Sequence, residues 1–507
     1  MTYDFTRIAY LGDSLTDDGN LYALTERLFG FGLPLSPPYD KAATNGDTHA
    51  ETLSDLLGLS GDLNFAVGGA KAGDDRTLQD YLGDNALLDT LSGTLSADQQ
   101  DALATVIDLS GQTQRLLEAT AGTDRSDLAV ALLIGANDLN IPLDGYTPEG
   151  ALAKITAALD GIAAATATLL AAGVGEVLLY TLPGGSFFPT VSMQGAEADA
   201  VGDQVSAFFN SGILSIADSF AESVRVIEFG LLGDEVAADA TGFGFRNSED
   251  YAFSGSGGLP VPTLDYFTTP EEQFMFWDEV HPTEEFHDIL AIFEAETLTH
   301  GLTKGSDGAD VETYGNDAEF VFALGGDDDL LLRGGDDVVL AGYGNDTVAG
   351  ERGSDLIGGG KGNDLIDGNR DSDLLAGNDG NDTLRGGGGN DILIDGNGSN
   401  RVFGGSGNDL FIFTEEELFG RDSNDTDILN GGRGFDTLVL RLTATTKALA
   451  DLDRFFWGDG SAVFDDLGLN VSSIERYVFV GRDETPDLSL NGDQTALLEQ
   501  AELWNFI

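Results

Sequence analysis

The 507-residue sequence contains no cysteine, which excludes disulfide bonds and thiolate metal sites. Basic residues are also scarce, because 24 Lys and Arg stand against 88 Asp and Glu and the formal net charge is −64. A charge of this sign repels nucleic acid and anionic membrane surfaces, so we predict no nucleic-acid partner and a need for cations or salt. Hydrophobic residues still make up 41% of the chain, and its length predicts two or three globular domains.

Three sequence patterns are missing as well. The N-terminus, MTYDFTRIAYLGDSL, lacks the basic segment, apolar core and cleavage site of a secretory signal peptide. The most apolar long window, residues 161–180, contains glycines and polar residues, so it predicts a helix, a glycine cap and a buried strand instead of a transmembrane segment. The G-x-S-x-G turn that carries the nucleophile in one large class of esterases is absent.

The segment Tyr10–Asn20, YLGDSLTDDGN, predicts a strand, a tight turn and the start of a helix. Ser14 lies in the turn, at the carboxyl end of the strand, where open α/β sheets bind their ligands. The free N–H groups of a helix N-terminus favour negative charge at the same place. A serine before a helix is usually an N-cap, so this segment alone favours a structural interpretation of Ser14.

Three later segments place a glycine turn or a polar side chain after a short apolar run. Asn64–Ala70 contains paired glycines, which let backbone N–H groups approach a ligand. Leu128–Ile134 is a continuous apolar run, typical of a strand covered on both faces, and Asn137 follows it. Asp278 precedes His281 by three residues, so in a turn its carboxylate reaches the imidazole. The alternation of strands and helices between these segments predicts a parallel sheet with helices on both faces.

In this order the four segments resemble the signature blocks of the GDSL, or SGNH, family of serine esterases and lipases. The resemblance covers residues 1–301 and implies a three-layer α/β fold around a flavodoxin-like parallel sheet. It implies a hydrolase of carboxylic esters in which Ser14 is the nucleophile and His281 is its general base. Asp278 would hold the imidazole in the required tautomer.

The resemblance also implies an oxyanion site for the tetrahedral intermediate. Its donors would be the N–H groups of Ser14 and Gly69 and the side chain of Asn137, with Gly68 as the alternative to Gly69. Three other histidines are interpreted as structural: His49, His287 and His300.

The implied substrate is an ester or lipid small molecule, a lysophospholipid among them. An acyl ester is favoured over a sugar acetate because residues 243–267 are rich in aromatic side chains, which line an acyl pocket or else pack under a long loop. The alternative hypothesis is a calcium-binding surface or adhesion protein whose esterase domain is inactive.

A second pattern is a nine-residue repeat. It runs in twelve units from Gly305 to Ile412, as in GGKGNDLID at 359–367. Position eight is mostly apolar, so two units are expected to form one coil of a parallel β-roll. The repeat resembles the RTX, or hemolysin-type, calcium-binding nonapeptide, which implies several structural Ca²⁺ ions bound by aspartates and turn carbonyls. A disordered Gly/Asp linker, the alternative, would not keep the apolar register. Aspartate fills position six, with Glu319 and Asn400 as the departures, at Asp310, Asp328, Asp337, Asp346, Asp355, Asp364, Asp373, Asp382, Asp391 and Asp409.

Residues 413–507 return to a mixed composition and predict a β-rich cap on the roll together with a C-terminal secretion signal region. Proteins that resemble RTX exporter substrates leave the cell in one step, so we expect type I secretion machinery as a partner. The predicted location is extracellular, and we expect a monomer.

Overall fold

The structure, a computed structural model, contains two compact units. The first comprises Thr2–Ala238 with Asn247–Ala295, and the second comprises Asp239–Arg246 with Glu296–Ile507. The residues that the structure describes are 3–29, 31–34, 42–59, 63–83, 95–139, 147–238, 240, 243, 245, 251–254, 261–262, 274–278, 280–414, 426–442, 467, 469–481, 488, 490 and 494–498.

A parallel sheet forms the centre of the first unit. Its strands are β1 (Arg7–Gly12), β2 (Leu63–Asn64), β3 (Leu128–Leu133), β4 (Glu176–Tyr180) and β5 (Val224–Ile227). They lie in the order β2-β1-β3-β4-β5, which is the order of flavodoxin-like doubly wound sheets. Every residue of β3 is buried, as its continuous apolar run predicts. The predicted parallel sheet is therefore confirmed, and ligands of such sheets bind where the order reverses, between β1 and β3.

Helices connect these strands, and a small mixed sheet follows them. The small sheet consists of Tyr251–Ser254, Val261–Pro262 and Phe276–Asp278. The helices are Asn20–Phe29, His49–Leu56, Leu78–Leu82, Ala97–Ala104, Leu109–Ala119, Ala136–Leu139, Pro148–Ala171, Pro189–Ser192, Ala196–Phe220, Phe229–Ala238 and Glu284–Thr299. The three-layer order that the family resemblance implies stays a prediction.

One helix within the described residues, Pro148–Ala171, is long and apolar enough to cross a membrane by length and composition. It starts with Pro148 behind the N-cap Thr147, and its buried residues recur every three or four positions, the pattern of a helix with one face on a protein core. It packs against the helices Leu109–Ala119 and Ala196–Phe220. Gly173, with φ of 89°, ends this segment before β4, so the predicted succession of helix, glycine and buried strand is confirmed.

Two parallel sheets build the second unit as a roll. The eight-stranded sheet contains Val311–Thr313, Asp329–Leu331, Thr347–Ala349, Leu365–Arg370, Thr383–Gly388, Arg401–Ser406, Asp427–Arg433 and Leu469–Ser472. The nine-stranded sheet contains Leu302–Ser306, Phe320–Leu324, Val338–Leu340, Leu356–Gly358, Leu374–Ala376, Ile392–Ile394, Leu410–Thr414, Thr437–Leu442 and Arg476–Gly481. Strand Leu302–Ser306 already pairs in this sheet, so the sheet begins three residues before Gly305, the predicted start of the repeats.

Within the repeats, neighbouring strands pair residues eighteen positions apart, for example Val338 with Leu356. One coil therefore consists of two nonapeptides, as predicted. In the eleven units from Val321 to Phe411, position eight lies in a shared apolar core, which explains why it is apolar there; in the first unit this position is the exposed Glu312. The sheets continue past Ile412, the predicted end of the roll, because Asp427–Arg433 and Thr437–Leu442 add a further coil.

Candidate active site and calcium-binding repeats

Ser14 lies in the turn that follows β1, at the edge of the sheet where the strand order reverses. The side chain of Asp17 shapes this turn, since it accepts the N–H groups of Gly19 at 2.9 Å and Leu21 at 3.0 Å. The same carboxylate accepts the Gly68 N–H at 2.7 Å, which joins the Ser14 turn to the glycine turn after β2. Asp17 therefore holds two of the four predicted segments together.

Asp278, His281 and Ser14 form a line of hydrogen-bonded side chains. His281 Nε2 is 2.9 Å from Ser14 Oγ, and His281 Nδ1 is 2.9 Å from both carboxylate oxygens of Asp278. Asp278 Oδ1 also accepts the N–H groups of Val280 and His281 at 2.9 Å, so the carboxylate is fixed by its own turn. The structure thus brings together three residues that the sequence analysis named.

The electrostatics of this line favour a protonated imidazole. Burial lowers the pKa of His281, but the charge and hydrogen bond of Asp278 and the charge of Asp13 outweigh it, and the pKa is raised overall. Burial raises the pKa of Asp13 itself to about 7. An imidazole in this setting accepts a proton from Ser14 more readily than a free one does.

The glycine turn distinguishes the two candidates for the backbone oxyanion donor. The Gly68 N–H is already bonded to Asp17, whereas no described residue accepts the Gly69 N–H. Gly69 has φ of 77°, a conformation that glycine adopts without strain. Its carbonyl accepts a hydrogen bond of 2.7 Å from Arg76, which Asp108 holds through both carboxylate oxygens.

Asn137 follows β3, and its Nδ2 donates to the carbonyl of Ala70 at 3.1 Å. That bond uses one of the two amide hydrogens and fixes the side chain. The next residue, Asp138, accepts the N–H groups of Ala72 at 2.8 Å and Gly73 at 3.2 Å. The glycine turn is therefore anchored to the β3 end of the sheet.

Sequence reasoning missed the buried carboxylates that shape these turns: Asp17, Asp108 and Asp138. Each accepts backbone N–H groups of a turn, and acidic residues next to glycine-rich turns were the signal that could have found them.

A cavity of about 150 Å³ opens beside Ser14. Ser14, Asn137 and Val280 are among the residues that line it, and most of the remaining wall is apolar. The apolar wall includes Leu182, Pro183, Phe188, Val191, Val201 and Val205. The aromatic segment 243–267, expected as the acyl pocket, contributes no described residue to this cavity, and most of that segment lies outside the described residues.

The position-six side chains of the repeats form two columns of hydrogen bonds along the roll. In each bond the backbone N–H of one residue donates to a side-chain oxygen of the residue one coil later, as Asp346 does to Asp364 at 2.8 Å. The first column contains Asp310, Asp328, Asp346, Asp364, Asp382, Asn400 and Asp427. The second column contains Glu319, Asp337, Asp355, Asp373, Asp391, Asp409, Asp436 and Glu475.

The two departures from aspartate have simple explanations in these columns. Glu319 opens the second column, so no earlier coil needs its side chain as an acceptor. Asn400 keeps the acceptor oxygen that the ladder requires. The column pattern therefore accounts for each exception that the sequence shows.

The buried aspartates of the columns suit a hard cation. In the column aspartates from Asp328 to Asp409, one carboxylate oxygen accepts the backbone N–H of the preceding coil. The other oxygen, Oδ2, has no hydrogen-bond partner among the described residues. Burial raises the pKa of Asp382 to about 8 and of Asp373 to about 9, with neighbouring carboxylates adding to the effect. Buried carboxylates with one unpaired oxygen are what a calcium ion neutralises.

Backbone oxygens complete the surroundings of these carboxylates. A methyl group on Gly377 would lie 2.6 Å from Asp382 Oδ2 and 2.6 Å from the carbonyl oxygen of Asp395, so glycine keeps an oxygen-lined space open. Across the described residues no three acidic or histidine side chains converge as a metal-binding group. Calcium takes six to eight oxygen ligands, and backbone carbonyl oxygens are among those that it accepts.

A doubly wound parallel sheet with a serine, an imidazole and a carboxylate aligned at its switch point, followed by a parallel roll, defines a hydrolase domain joined to a repeat domain. Residues 8–292 match the family described as GDSL-like Lipase/Acylhydrolase. The chain belongs to this family and is an ester-bond hydrolase. The RTX calcium-binding nonapeptide repeat matches in four copies, at residues 313–348, 340–375, 376–411 and 418–439. Both resemblances inferred from the sequence are thereby confirmed.

Three curated proteins illustrate the similarity. Phosphatidylcholine-sterol acyltransferase of Aeromonas hydrophila is 25% identical over 327 residues, which cover 57% of this chain and 88% of that protein. Secreted effector protein SseJ of Salmonella typhimurium is 25% identical over 306 residues, or 59% of this chain and 64% of that protein. tRNA N6-adenosine threonylcarbamoyltransferase of Methylobacillus flagellatus is 32% identical over 128 residues, but these cover only 25% of this chain and 36% of that protein.

Proposed function

We propose that this protein is a secreted carboxylic ester hydrolase that uses Ser14, His281 and Asp278 as a catalytic triad. The observation that carries the proposal is the unbroken line of side chains with 2.9 Å between His281 and each of its two partners. The line lies at the edge of the sheet where doubly wound folds bind ligands. The raised pKa of His281 supports its role as the base.

In the proposed mechanism, Ser14 Oγ attacks the acyl carbon of the ester while His281 Nε2 takes the hydroxyl proton. The carboxylate of Asp278 stabilises the imidazolium. The N–H groups of Ser14 and Gly69 and the free amide hydrogen of Asn137 would bind the oxyanion. Collapse of the intermediate expels the alcohol, which takes the proton from Nε2, and a water molecule activated by His281 then releases the acid from the acyl-enzyme.

Gly69 is the preferred backbone donor because the alternative, Gly68, is already bonded to Asp17. Asn137 keeps one amide hydrogen available after its bond to Ala70. Removing one oxyanion donor costs about 10²–10³ in rate in enzymes of this kind.

The proposed substrate is an acyl ester of a lipid or a small alcohol. The apolar cavity beside Ser14 supports this class, because an acyl chain placed there leaves water while its carbonyl reaches the serine. The relative named phosphatidylcholine-sterol acyltransferase supports lipid acyl esters in particular, and a lysophospholipid fits the same description.

The proposed location of the protein is extracellular. The RTX repeats imply calcium binding, and calcium is abundant outside cells, so the roll would fold on secretion. The relative named secreted effector protein supports secretion as well. Export by type I machinery and a monomeric state remain parts of this proposal.

Hydrolysis of p-nitrophenyl esters tests the triad. Ser14→Ala should lose about 10⁴-fold or more in kcat. Ser211→Ala is the matched control, because Ser211 is exposed on helix Ala196–Phe220 and its hydroxyl donates to the Ala207 carbonyl of the same helix, and it should keep full activity. Full activity in Ser14→Ala would refute the triad, and a wild-type protein inactive on short and long acyl esters and lysophospholipids would favour the adhesion alternative.

A further inference from the structure

One coil of the roll departs from its neighbours where a cation is expected. Asn400 occupies the place in the first column that Asp382 occupies one coil earlier. Its Oδ1 accepts the Asp382 N–H at 2.8 Å, and its own N–H donates to Asp427 Oδ1 at 2.8 Å. The ladder therefore runs through Asn400 unchanged, and only the second polar atom of the side chain differs.

That second atom is a donor instead of an acceptor. Because the ladder bond fixes Oδ1, the amide Nδ2 takes the place that Oδ2 has in an aspartate. It donates to the carbonyl oxygens of Gly396 at 3.3 Å and Asn397 at 3.4 Å, both in the same turn. In Asp382 and Asp364 the corresponding Oδ2 is buried and has no hydrogen-bond partner among the described residues.

We propose that the turn containing Asn400 binds no calcium, and that the amide group of Asn400 replaces the cation there. An amide NH₂ cannot ligate a cation, and here it occupies two carbonyl oxygens of its own turn. The amide also removes the negative charge that a cation would neutralise. The first column of calcium ions is thus interrupted at this coil, and the coil keeps its turn closed without metal.

Calcium counting on the full-length protein tests this proposal. Bound calcium is measured by equilibrium dialysis and elemental analysis for the wild type and a matched pair of variants in the same column. Asn400→Asp should bind one calcium ion more than the wild type, and Asp382→Asn should bind at least one fewer. In chelator, Asn400→Asp should unfold at a lower temperature than the wild type, and excess calcium should remove this deficit.

An unchanged calcium number in folded Asn400→Asp, alongside a reduced number in Asp382→Asn, would overturn the proposal. Asn400→Ala covers the case in which the added charge prevents folding. Its calcium number should equal that of the wild type because no ion depends on the side chain, and loss of one ion in Asn400→Ala would overturn the proposal equally.

A separate observation concerns a second hydroxyl, imidazole and carboxylate, which lie within short distances of one another in the interior of the hydrolase domain. His49 Nε2 is 3.1 Å from Thr16 Oγ1, and His49 Nδ1 is 2.9 Å from Glu294 Oε1. The side chains of His49 and Glu294 are 0% exposed, and Thr16 is 1% exposed, so no substrate reaches them. Aromatic rings enclose the imidazole: Tyr10, Tyr180 and His287.

Thr16 and Glu294, the first and last residues of this series of side chains, lie close in sequence to Ser14 and to His281. Thr16 lies in the same turn as Ser14, two residues later. Glu294 lies on helix Glu284–Thr299, which begins three residues after His281. The buried chain therefore ties the turn of the nucleophile to the helix that follows the base.

We infer that Thr16, His49 and Glu294 are positioning residues that hold Ser14 in register with His281. This inference rests on the proposed function of Ser14. A misplacement of the nucleophile by about 1 Å costs up to about 10²-fold in rate, so the buried chain has a measurable effect even though it touches no substrate.

Thr16→Val, which keeps the shape and removes the hydroxyl, should lower kcat by about 10-fold or more and change KM by less than about threefold. Thr16→Ser, which keeps the hydroxyl, is the matched control and should keep most of the wild-type kcat. Equal kcat values for the two variants would overturn the inference.

A double-mutant cycle of Thr16→Val with Glu294→Gln in thermal unfolding tests the chain without activity, and strictly additive effects would also overturn the inference. If the wild type shows no activity that depends on Ser14, the proposed function fails. The double-mutant cycle still tests whether Thr16 and Glu294 are energetically coupled.

Discussion

Replacing Asp278 by asparagine tests the triad at its least exposed member. Asp278 Oδ1 accepts two backbone N–H groups at 2.9 Å, from Val280 and His281, and those bonds would hold the amide oxygen of the variant. The amide NH₂ must then face His281 Nδ1 and donate to it. The imidazole proton moves to Nε2, which donates toward Ser14 and no longer accepts its proton.

The expected loss in kcat for Asp278→Asn is about 10⁴-fold, or about 5 kcal/mol of transition-state stabilisation. The pH profile should change as well. The carboxylate raises the pKa of His281 in the wild type, so its removal lowers this pKa and moves the acid limb of kcat/KM to lower pH.

The assay is steady-state hydrolysis of a p-nitrophenyl ester between pH 5 and 9, with near-ultraviolet circular dichroism as a check on folding. Glu296→Gln is the matched control, because it breaks another histidine–carboxylate pair, at 2.7 Å from His300, that belongs to the second unit. The control should stay within about twofold of the wild type. A kcat for Asp278→Asn within tenfold of the wild type, or an acid limb that stays in place, would refute the reasoning.

Three further predictions concern the roll and the cavity. Chelation of calcium should reduce the β-sheet signal in far-ultraviolet circular dichroism and added calcium should restore it, whereas a spectrum indifferent to calcium would contradict a calcium-loaded roll. In chelator, acidification from pH 9 to 5 should restore part of the β-sheet signal. Burial raises the pKa of Asp373 to about 9 and of Asp391 to about 8, so ionisation of these groups opposes folding at high pH, and this cost disappears as they are protonated. A signal that falls further on acidification would contradict this sign. Val205→Phe should lower hydrolysis of long acyl esters relative to short ones by about tenfold, measured as a ratio of kcat/KM values, and an unchanged ratio would exclude the cavity as the acyl site.

The side-chain columns of the roll and the active site share one structural feature. In both, a buried carboxylate is kept in place by backbone N–H groups of turns, as Asp17 is by Gly68 and as Asp382 is by Asp364. In the hydrolase domain this feature shapes the turns around Ser14. In the roll it leaves Oδ2 of the column aspartates from Asp328 to Asp409 without a hydrogen-bond partner among the described residues, which favours a bound cation.

The sequence by itself determined the features that depend on local chemistry and on periodicity. The strand–turn–serine segment, the glycine turn, and the pairing of Asp278 with His281 three residues later are all short-range patterns. The nine-residue repeat, with an apolar position eight, defines an eighteen-residue coil because side chains alternate along each strand. Both families and the parallel sheets could therefore be predicted from the amino-acid sequence alone.

Tertiary structure decided the contacts between residues far apart in the chain. It bonded the Gly68 N–H to Asp17, it enclosed His49 between Thr16 and Glu294, and it continued both roll sheets beyond Ile412. It also placed the cavity against helix Ala196–Phe220, and no described residue of the aromatic segment that the sequence favoured lines it. Such partners are set by packing in three dimensions, and neither spacing nor composition encodes which buried group a given donor will meet.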